Sequence, residues 1–210
     1  MSLKTVWGYE LTNVNALPPM LTMAEYNALT AGKYAGDVRI SPNLDAAGTA
    51  IRNYCGWHVF PSLPCRFAER LLFGNGRIKS VYDNFIIQLP ATFVSEITSV
   101  TIGGEEFSDY ALESNGVVHL FDVPQHRISK RTEIVIDYVA GLHPEMMDAV
   151  KELVAHRITH ALASSEGVQS ETAGGVSITY SASWMNNTGA GSLADNNKEI
   201  LQPYRLEGVF

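Results

Sequence analysis

Two histidines stand at metal-ligand spacing on the strongest predicted helix of the chain. His156 and His160 are four residues apart, which places both imidazoles on one helix face. The metalloprotease motif requires a glutamate directly after the first histidine, but Arg157 occupies that position. Because the pair lacks a catalytic base and further ligands, it is typical of a solvated helix flank. We expect no metal and no cofactor here.

A short basic run is the best candidate for contact with DNA or with a partner. It alternates with aromatic residues, as nucleic-acid-binding faces do, and consists of Arg66, Arg70, Arg77 and Lys79. The whole chain has 15 basic and 22 acidic side chains, a net charge of −7, which argues against a protein whose main role is to grip the phosphate backbone. We therefore favour a solvated rim of a β region and keep partner contact as the alternative.

Other patterns that would indicate catalysis are missing from the sequence. No G-x-S-x-G pentapeptide is present, and the glycine-rich stretch 189–192 lacks the lysine of a phosphate-binding loop. Glu105 and Glu106 follow a Gly-Gly pair, so we expect them at a hairpin tip. Cys55 and Cys65 have neither the number nor the spacing of a disulfide framework or a zinc site. We expect that the chain is not an enzyme.

Capping signals place two helices in the first third of the chain. Thr22 and Glu25 form a capping-box pattern in front of a short helix at residues 23–29. Ser41-Pro42 has the residue types of an N-cap and a first helical position, and the helix that follows is expected to end at Gly56.

Beyond Gly56 the apolar pattern changes to that of strands. β-branched and aromatic residues predict four strands, at residues 85–89, 97–102, 117–121 and 133–139. A long helix over residues 144–164 follows, and Arg157 falls inside its apolar arc, so we expect this arginine to be paired or to face a neighbouring subunit. The last elements are a strand at 176–183, a Gly- and Asn-rich stretch at 186–192 and a short helix at 193–201.

The composition suggests that part of the surface is covered by partners. Of the 210 residues, 46% are hydrophobic and only 18% are charged, below the usual fraction of about 25%. The first 20 residues lack the apolar core of a signal peptide, and no stretch approaches the length of a membrane span. We expect a soluble protein without a membrane partner.

Several segments resemble phage head–tail connector proteins of the HK97-type adaptor family. They are IRNYCGW at residues 51–57, IVIDYVAG at 134–141, GGVSITYS at 174–181 and ILQPYRL at 200–206, with the long helix through 149–163 among them. The most specific is the closing pattern, a Leu-x-Pro-Tyr-Arg sequence after a short helix. The matching pieces cover most of the chain outside residues 60–130.

The resemblance implies an α+β fold, a small helical bundle of the connector type with an inserted, mostly antiparallel β region. The N-terminal helices of the bundle would comprise residues 1–56 and the β insertion 57–140. Residues 141–210 would supply the long core helix, a hairpin strand and a C-terminal arm. The insertion is longer than in compact members of the family, so its direction is open.

The family also implies a function. Its members form a twelve-fold ring beneath the portal of a tailed phage, link the portal to the stopper or tail-terminator protein, and continue the channel through which double-stranded DNA passes without sequence-specific binding. The chain would be made in the bacterial host cytoplasm and would reside in the neck of the virion. Portal or subunit contact is assigned by the resemblance to Gly174, Gly175, Tyr180, Leu201, Pro203, Tyr204 and Arg205.

Two alternatives stay open. The last helix and the residues after it can pack within their own subunit, as terminal helices commonly do. The chain can also be a non-viral enzyme or a carbohydrate-binding module that uses the β region. Such a module would stack its ligand on exposed aromatic side chains, for which the candidates are Trp57, Tyr82, Tyr110 and Trp184.

Overall fold

The computed structural model describes residues 2–71, 76–82, 84–113, 115–129, 131–163, 170–173, 176–179 and 195–206. The chain divides into two compact units. The first, called the β unit, consists of Met1–Pro18, Cys55–Pro144 and Tyr204–Phe210. The second, called the helical unit, consists of Pro19–Tyr54 and Glu145–Pro203. Residues 204–206 thus group with the β unit, whereas the helix that precedes them belongs to the helical unit.

Two antiparallel sheets form the β unit. The larger has the order β1-β2-β3-β10-β6-β7 and the smaller β4-β5-β9-β8. The strands of the larger sheet are β1 (Ser2–Lys4), β2 (Glu10–Thr12), β3 (Leu63–Arg70), β6 (Val94–Ile102), β7 (Glu105–Glu106) and β10 (Glu133–Ala140). Those of the smaller sheet are β4 (Ile78–Val81), β5 (Asn84–Gln88), β8 (Tyr110–Leu112) and β9 (Val117–Leu120).

Alternation of buried and less buried residues, which is strict along β10, builds the core of the β unit. In β10, Ile134, Ile136 and Tyr138 are buried, and Ile136 lies opposite Phe67 of β3 on one side. On the other side Ile136 lies opposite the equally buried Val100 of β6. Because side chains alternate between the two faces of a strand, one residue in two enters this core.

The smaller sheet buries one face in the same way. Phe85 and Ile87 of β5 are buried, and they lie opposite the buried Leu120 and Val118 of β9. All four predicted strands are present within two or three residues of their expected ends, and the Gly103-Gly104 turn leads from β6 into β7. The strands β1 to β4, β7 and β8 were not predicted.

The helical unit contains α1 (Met23–Leu29), α2 (Ile40–Cys55, whose last residue belongs to the β unit), α3 (Asp148–Ala163) and α4 (Asp195–Leu201). A short hairpin of β11 (Ser170–Ala173) and β12 (Val176–Thr179) completes its described part. α3 packs against α1 and α4. Among the described residues of the whole chain, short 3₁₀ helices lie at Gln125–Arg127, Pro144–Met146 and Gln202–Tyr204.

The expected fold class, a helical bundle with a β insertion, is wrong. The structure is dominated by two antiparallel sheets, and its helices are few and short within the described residues. One reason lies at the N-terminus, where the expected helical region starts with β1 and β2, and β2 adds to β3 through Leu11 and Cys65. The period-two segments between residues 57 and 140 therefore form the main core and not an appendage.

The helix predictions were more accurate, except that α2 begins at Ile40, before the predicted N-cap Ser41. α1 has the predicted bounds, and its capping box is complete: the Thr22 hydroxyl accepts from the Glu25 N–H, and the Glu25 carboxylate accepts from the Thr22 N–H. α3 begins at Asp148, after a 3₁₀ turn at the predicted start. Arg157 is buried as its place in the apolar arc implies, and burial lowers the pKa of its guanidinium.

Glu25 connects the start of α1 to α3, and its charge stabilises the helical unit. Its carboxylate accepts from Lys151 Nζ at 2.7 Å, and this bond, followed by those from Thr22, lowers the pKa of Glu25 to about 2. A carboxyl whose pKa is lower in the folded state stabilises the fold above its unfolded pKa, and the effect is lost as the pH falls through the folded value. The stabilisation should therefore be complete above about pH 5 and fade toward pH 2.

Glu25→Gln is expected to destabilise the protein by about 1 kcal/mol at pH 7, a modest figure because the side chain is partly exposed and screened by solvent. The difference from the wild type should shrink between pH 4 and pH 2 as the wild-type carboxyl takes up its proton. Urea unfolding across this pH range measures it. Glu152→Gln, at an exposed position of α3, is the control and should change stability little at any pH. A loss that is independent of pH would contradict the prediction.

Candidate interaction site at the closing segment

The last described residues, Tyr204–Leu206, are called the closing segment. They dock on the turn that follows α2 in the β unit. The Leu206 N–H donates to the Cys55 carbonyl oxygen at 2.9 Å. The Trp57 indole N–H donates to the Tyr204 carbonyl oxygen at 2.7 Å. Main-chain groups of the closing segment are therefore held from two sides.

An aromatic pair provides the apolar part of the same site. The Trp57 and Phe93 rings are stacked, with centroids 6.2 Å apart, and the Tyr204 ring lies 5.8 Å from Phe93. Trp57 is completely buried, while Phe93 and Tyr204 are half-buried. Cys55, Trp57 and Phe93 are called the Trp57 site.

Gly56 gives the chain the conformation that this site requires. Its φ of +78° lies in the left-handed region that favours glycine, at the end of α2. A Cβ added there would lie 3.7 Å from the Leu206 Cβ. Burial raises the pKa of the adjacent Cys55 thiol to about 12, against a smaller lowering by the Arg205 charge. The thiol is therefore protonated and inert at neutral pH.

The buried side chain of His58 packs against Trp57 of the Trp57 site. The His58 ring meets the Trp57 ring edge-on, with centroids 5.4 Å apart, and is itself fully buried. Its Nε2 lies 2.9 Å from the Ala140 carbonyl oxygen and 3.1 Å from that of Pro61. Because both neighbours only accept, Nε2 carries the proton. Nδ1 therefore accepts from the Tyr9 hydroxyl at 2.7 Å.

Tyr9→Phe tests this arrangement, since it removes the bond to Nδ1 and also the one that the His58 main-chain N–H donates to the hydroxyl. Leaving buried polar groups of His58 without these bonds should cost about 2–3 kcal/mol of unfolding free energy. Tyr82→Phe is the control, because that side chain is 95% exposed, and it should cost less than about 0.5 kcal/mol. Equal stability of the two variants in urea titrations would refute the assigned role.

The structure places the residues assigned to portal or subunit contact in different settings. Leu201 is buried, Tyr204 is half-buried in the Trp57 site, and Pro203 and Arg205 are exposed. Three further candidates, Gly174, Gly175 and Tyr180, lie outside the described residues, as does Trp184. Pro203 thus directly precedes the docked closing segment, and Arg205 lies within it with an exposed side chain.

The four residues of the basic run lie on two different sheets. Arg66 and Arg70 are on β3, Lys79 is on β4, and Arg77 directly precedes β4. Arg66 forms a bidentate salt bridge with Asp137, in which its Nε and Nη2 donate to the two carboxylate oxygens at 2.7 Å and 3.0 Å. This pair lowers the pKa of Asp137 and raises that of Arg66, so the charge of Arg66 is largely neutralised. Arg70 and Lys79 are exposed, and burial lowers the pKa of the half-buried Arg77.

Large apolar side chains are exposed at one end of the smaller sheet. Val81 ends β4, Tyr82 follows it with a left-handed φ of +56°, and Phe121 follows β9. Their exposed fractions are 39%, 95% and 38%. These three residues are called the apolar tip. Exposed apolar side chains that lie together can form a surface that contacts another protein.

The two histidines of α3 lie close together, as their spacing of four residues predicts. The His156 and His160 rings are 5.6 Å apart, and the pKa of His160 is lowered by burial first and by His156 and Arg157 next. Across the described ranges, no cluster of three His, Cys, Asp or Glu side chains is arranged to hold a metal ion. Of the described helices, none is both long and apolar enough to cross a membrane.

Reasoning from sequence assigned Tyr204 and Arg205 to portal or subunit contact and kept packing within the same subunit as the alternative. It missed the groups of the same chain that hold the closing segment. Phe93 lies in a loop before β6, and Tyr9 is 49 residues away from His58, so no local pattern links either residue to the site. The only local sequence feature that pointed to this site was a large aromatic residue, Trp57, directly after Gly56. No protein-family model matches this chain, and none of the curated proteins with which it was compared is similar to it.

Proposed function

We propose that this chain is a structural subunit of a phage head–tail connector. Twelve copies would form an adaptor ring that binds the portal on one side and the stopper or tail-terminator protein on the other. The ring would continue the DNA channel of the virion neck and would perform no catalysis.

The observation that carries the proposal is the docking of the closing segment on the Trp57 site. Two segments of the resemblance, IRNYCGW at residues 51–57 and ILQPYRL at 200–206, contain Trp57 and Tyr204, which are 147 residues apart. The two segments meet through two hydrogen bonds, and Phe93, which lies outside both, contacts the rings of Trp57 and Tyr204. Their joint presence in the sequence therefore has a physical reason, since each segment completes the other.

Two surface features support an assembling subunit. Pro203 and Arg205 are exposed beside the docked Tyr204, where a portal can contact them. The apolar tip offers a second contact surface, and a ring subunit needs two different surfaces because head-to-tail contacts join unlike faces. The low charged fraction of 18% is consistent with a chain that buries surface on assembly.

The net charge of −7 per subunit suggests how DNA would move through the ring. A channel wall that is acidic or neutral does not bind the phosphate backbone, so DNA can slide past it. The salt bridge between Arg66 and Asp137 would also weaken binding of the phosphate backbone, because it neutralises a positive charge on β3.

Light scattering of the purified protein tests the proposal, first alone and then with the portal ring of the same phage or prophage. The single chain has a mass of 23.0 kDa, and a ring of twelve corresponds to about 280 kDa. We expect this mass either free or added to the portal. A chain that stays at 23.0 kDa and ignores the portal would overturn the proposal.

Charge reversal adds a residue-level test. Arg205→Glu should weaken portal binding by about tenfold or more, because it places a carboxylate where the closing segment offers a cation. Arg131→Glu, which reverses an exposed charge elsewhere in the β unit, is the matched control and should bind as the wild type does. Equal binding by both variants would remove Arg205 from the contact.

A further inference from the structure

Four charged side chains form a line across the larger sheet, and their signs alternate. Lys4 of β1 lies opposite Glu10 of β2. Arg66 of β3 lies between Glu10 on one side and Asp137 of β10 on the other. Directly opposite residues of antiparallel strands point to the same face, so the line runs over four adjacent strands of one face. These four residues are called the charge row.

The charge row lies on the face of the sheet that points away from the core. The neighbouring residues along the strands, Leu11, Cys65 and Tyr138, point to the other face and are buried. In the charge row itself, the side chains of Lys4 and Arg66 are 84% and 49% exposed. A partner can therefore reach the two cations of the row.

Ion pairs within the chain hold the charge row in place. Lys4 Nζ lies 3.4 Å from the Glu10 carboxylate. Arg66 donates to the Asp137 carboxylate, which also accepts from the Ser99 hydroxyl at 3.1 Å. The charges are thus fixed before any partner binds, which lowers the entropic cost of a contact.

Small neutral side chains flank the charge row, and none of them is larger than valine. Residues two positions further along a strand point to the same face. On this face they are exposed or half-buried, and they are Thr12, Pro64 and Val139 on one side and Ala68, Val135 and Thr101 on the other. Because none of these flanking side chains projects far, a second flat sheet can approach the row.

A row of four alternating charges is complementary to a copy of itself turned by 180°. With a two-fold axis parallel to the strands and between β2 and β3, Lys4 of one copy faces Asp137 of the other. Glu10 of each copy then faces Arg66 of the other, so all four positions meet an opposite charge. A partner displaced by one strand would meet like charges, which disfavour the contact. The row therefore favours a second copy in one register.

We propose that two copies of this chain pair face to face through the charge row. The contact joins identical surfaces, so it differs from the head-to-tail contact of the proposed ring and goes beyond that function. Six strands at a spacing of about 4.8 Å make the face about 24 Å wide. A face of this size gives a small interface, so we expect weak pairing that depends on concentration.

Sedimentation equilibrium at increasing concentration measures the pairing. The mass should rise from 23.0 kDa to about 46 kDa, or from about 280 to about 550 kDa if the free chain forms the ring. A monomer or ring whose mass does not double up to about 1 mM chain overturns the pairing and leaves the connector proposal to its test with the portal. A species that never exceeds 46 kDa, with or without the portal, supports the pairing and overturns the ring.

Two complementary variants separate contact between copies from contact within a chain. Arg66→Glu and Glu10→Arg should each weaken self-association by about tenfold or more, because the symmetric contact brings like charges together twice. In a mixture of the two variants, position 10 of each chain meets an opposite charge at position 66 of the other. The mixture should therefore pair as the wild type does. Failure of the mixture to pair would refute the assigned geometry.

Lys4→Glu covers the case in which Arg66→Glu does not fold. Its side chain is 84% exposed at the edge of the sheet, so the substitution should leave the fold intact, and it places a carboxylate opposite Asp137 of the second copy. Pairing should weaken by about threefold or more. Arg131→Glu makes the same change in sign at an exposed position away from the row and should pair as the wild type does. Equal pairing by both variants would overturn the proposal.

Discussion

Gly141→Ala should lower the free energy of unfolding by about 2–4 kcal/mol. Gly141 follows β10 with a φ of +138°, a conformation that side chains rarely adopt. A Cβ at this position would overlap with the Pro61 carbonyl and the Ser62 main chain. Backbone atoms cannot move aside as a flexible side chain can, so the strand and the loop before β3 must separate. The expected result is a large fall in the urea midpoint.

Gly104→Ala is the matched control for this prediction. Gly104 also has a left-handed φ, of +86°, but no atom lies within 4 Å of a Cβ built on it. Only the conformational cost then remains, about 1 kcal/mol. The difference between the two variants measures the close approach of the two chain segments. If both variants lost the same stability, the overlap at Gly141 would be relieved by a small shift of the loop.

Trp57→Ala is expected to cost about 3–5 kcal/mol, the range for removing a large buried aromatic side chain. The substitution removes the stacking partner of Phe93, the edge contact with His58 and the donor to the Tyr204 carbonyl. The closing segment should then detach, and trypsin should cleave after Arg205 faster than in the wild type. Urea unfolding and a digestion time course measure the two effects.

Trp57→Phe separates packing from the hydrogen bond. It keeps an aromatic ring in the site but has no N–H to donate, so the expected loss is smaller, about 1–2 kcal/mol. Digestion at Arg205 should accelerate in this variant as well, because the Tyr204 carbonyl has lost its donor. Unchanged digestion in both variants would show that the indole does not hold the closing segment.

The sequence by itself determined those helices, strands and turns that are specified by residues close together in the chain. The Thr22–Glu25 capping box specified the start of α1, because both of its hydrogen bonds join residues three apart. The four predicted strands carried alternating β-branched or aromatic residues, and the Gly103-Gly104 turn marked its own position. The capping box, the strand residues and the turn each depend only on residues close together in the chain, so they can be recognised in a single sequence.

Tertiary structure decided the fold class and the site. β1 and β2 are only three residues long and become strands because β2 pairs with β3, more than 50 residues away. That pairing, and not any local propensity, turned an expected helical N-terminus into part of a sheet. Likewise, Phe93, Tyr9 and the closing segment reach Trp57 and His58 from distant parts of the chain. Burial and hydrogen bonding between such remote residues follow from the packed fold, which local periodicity does not contain.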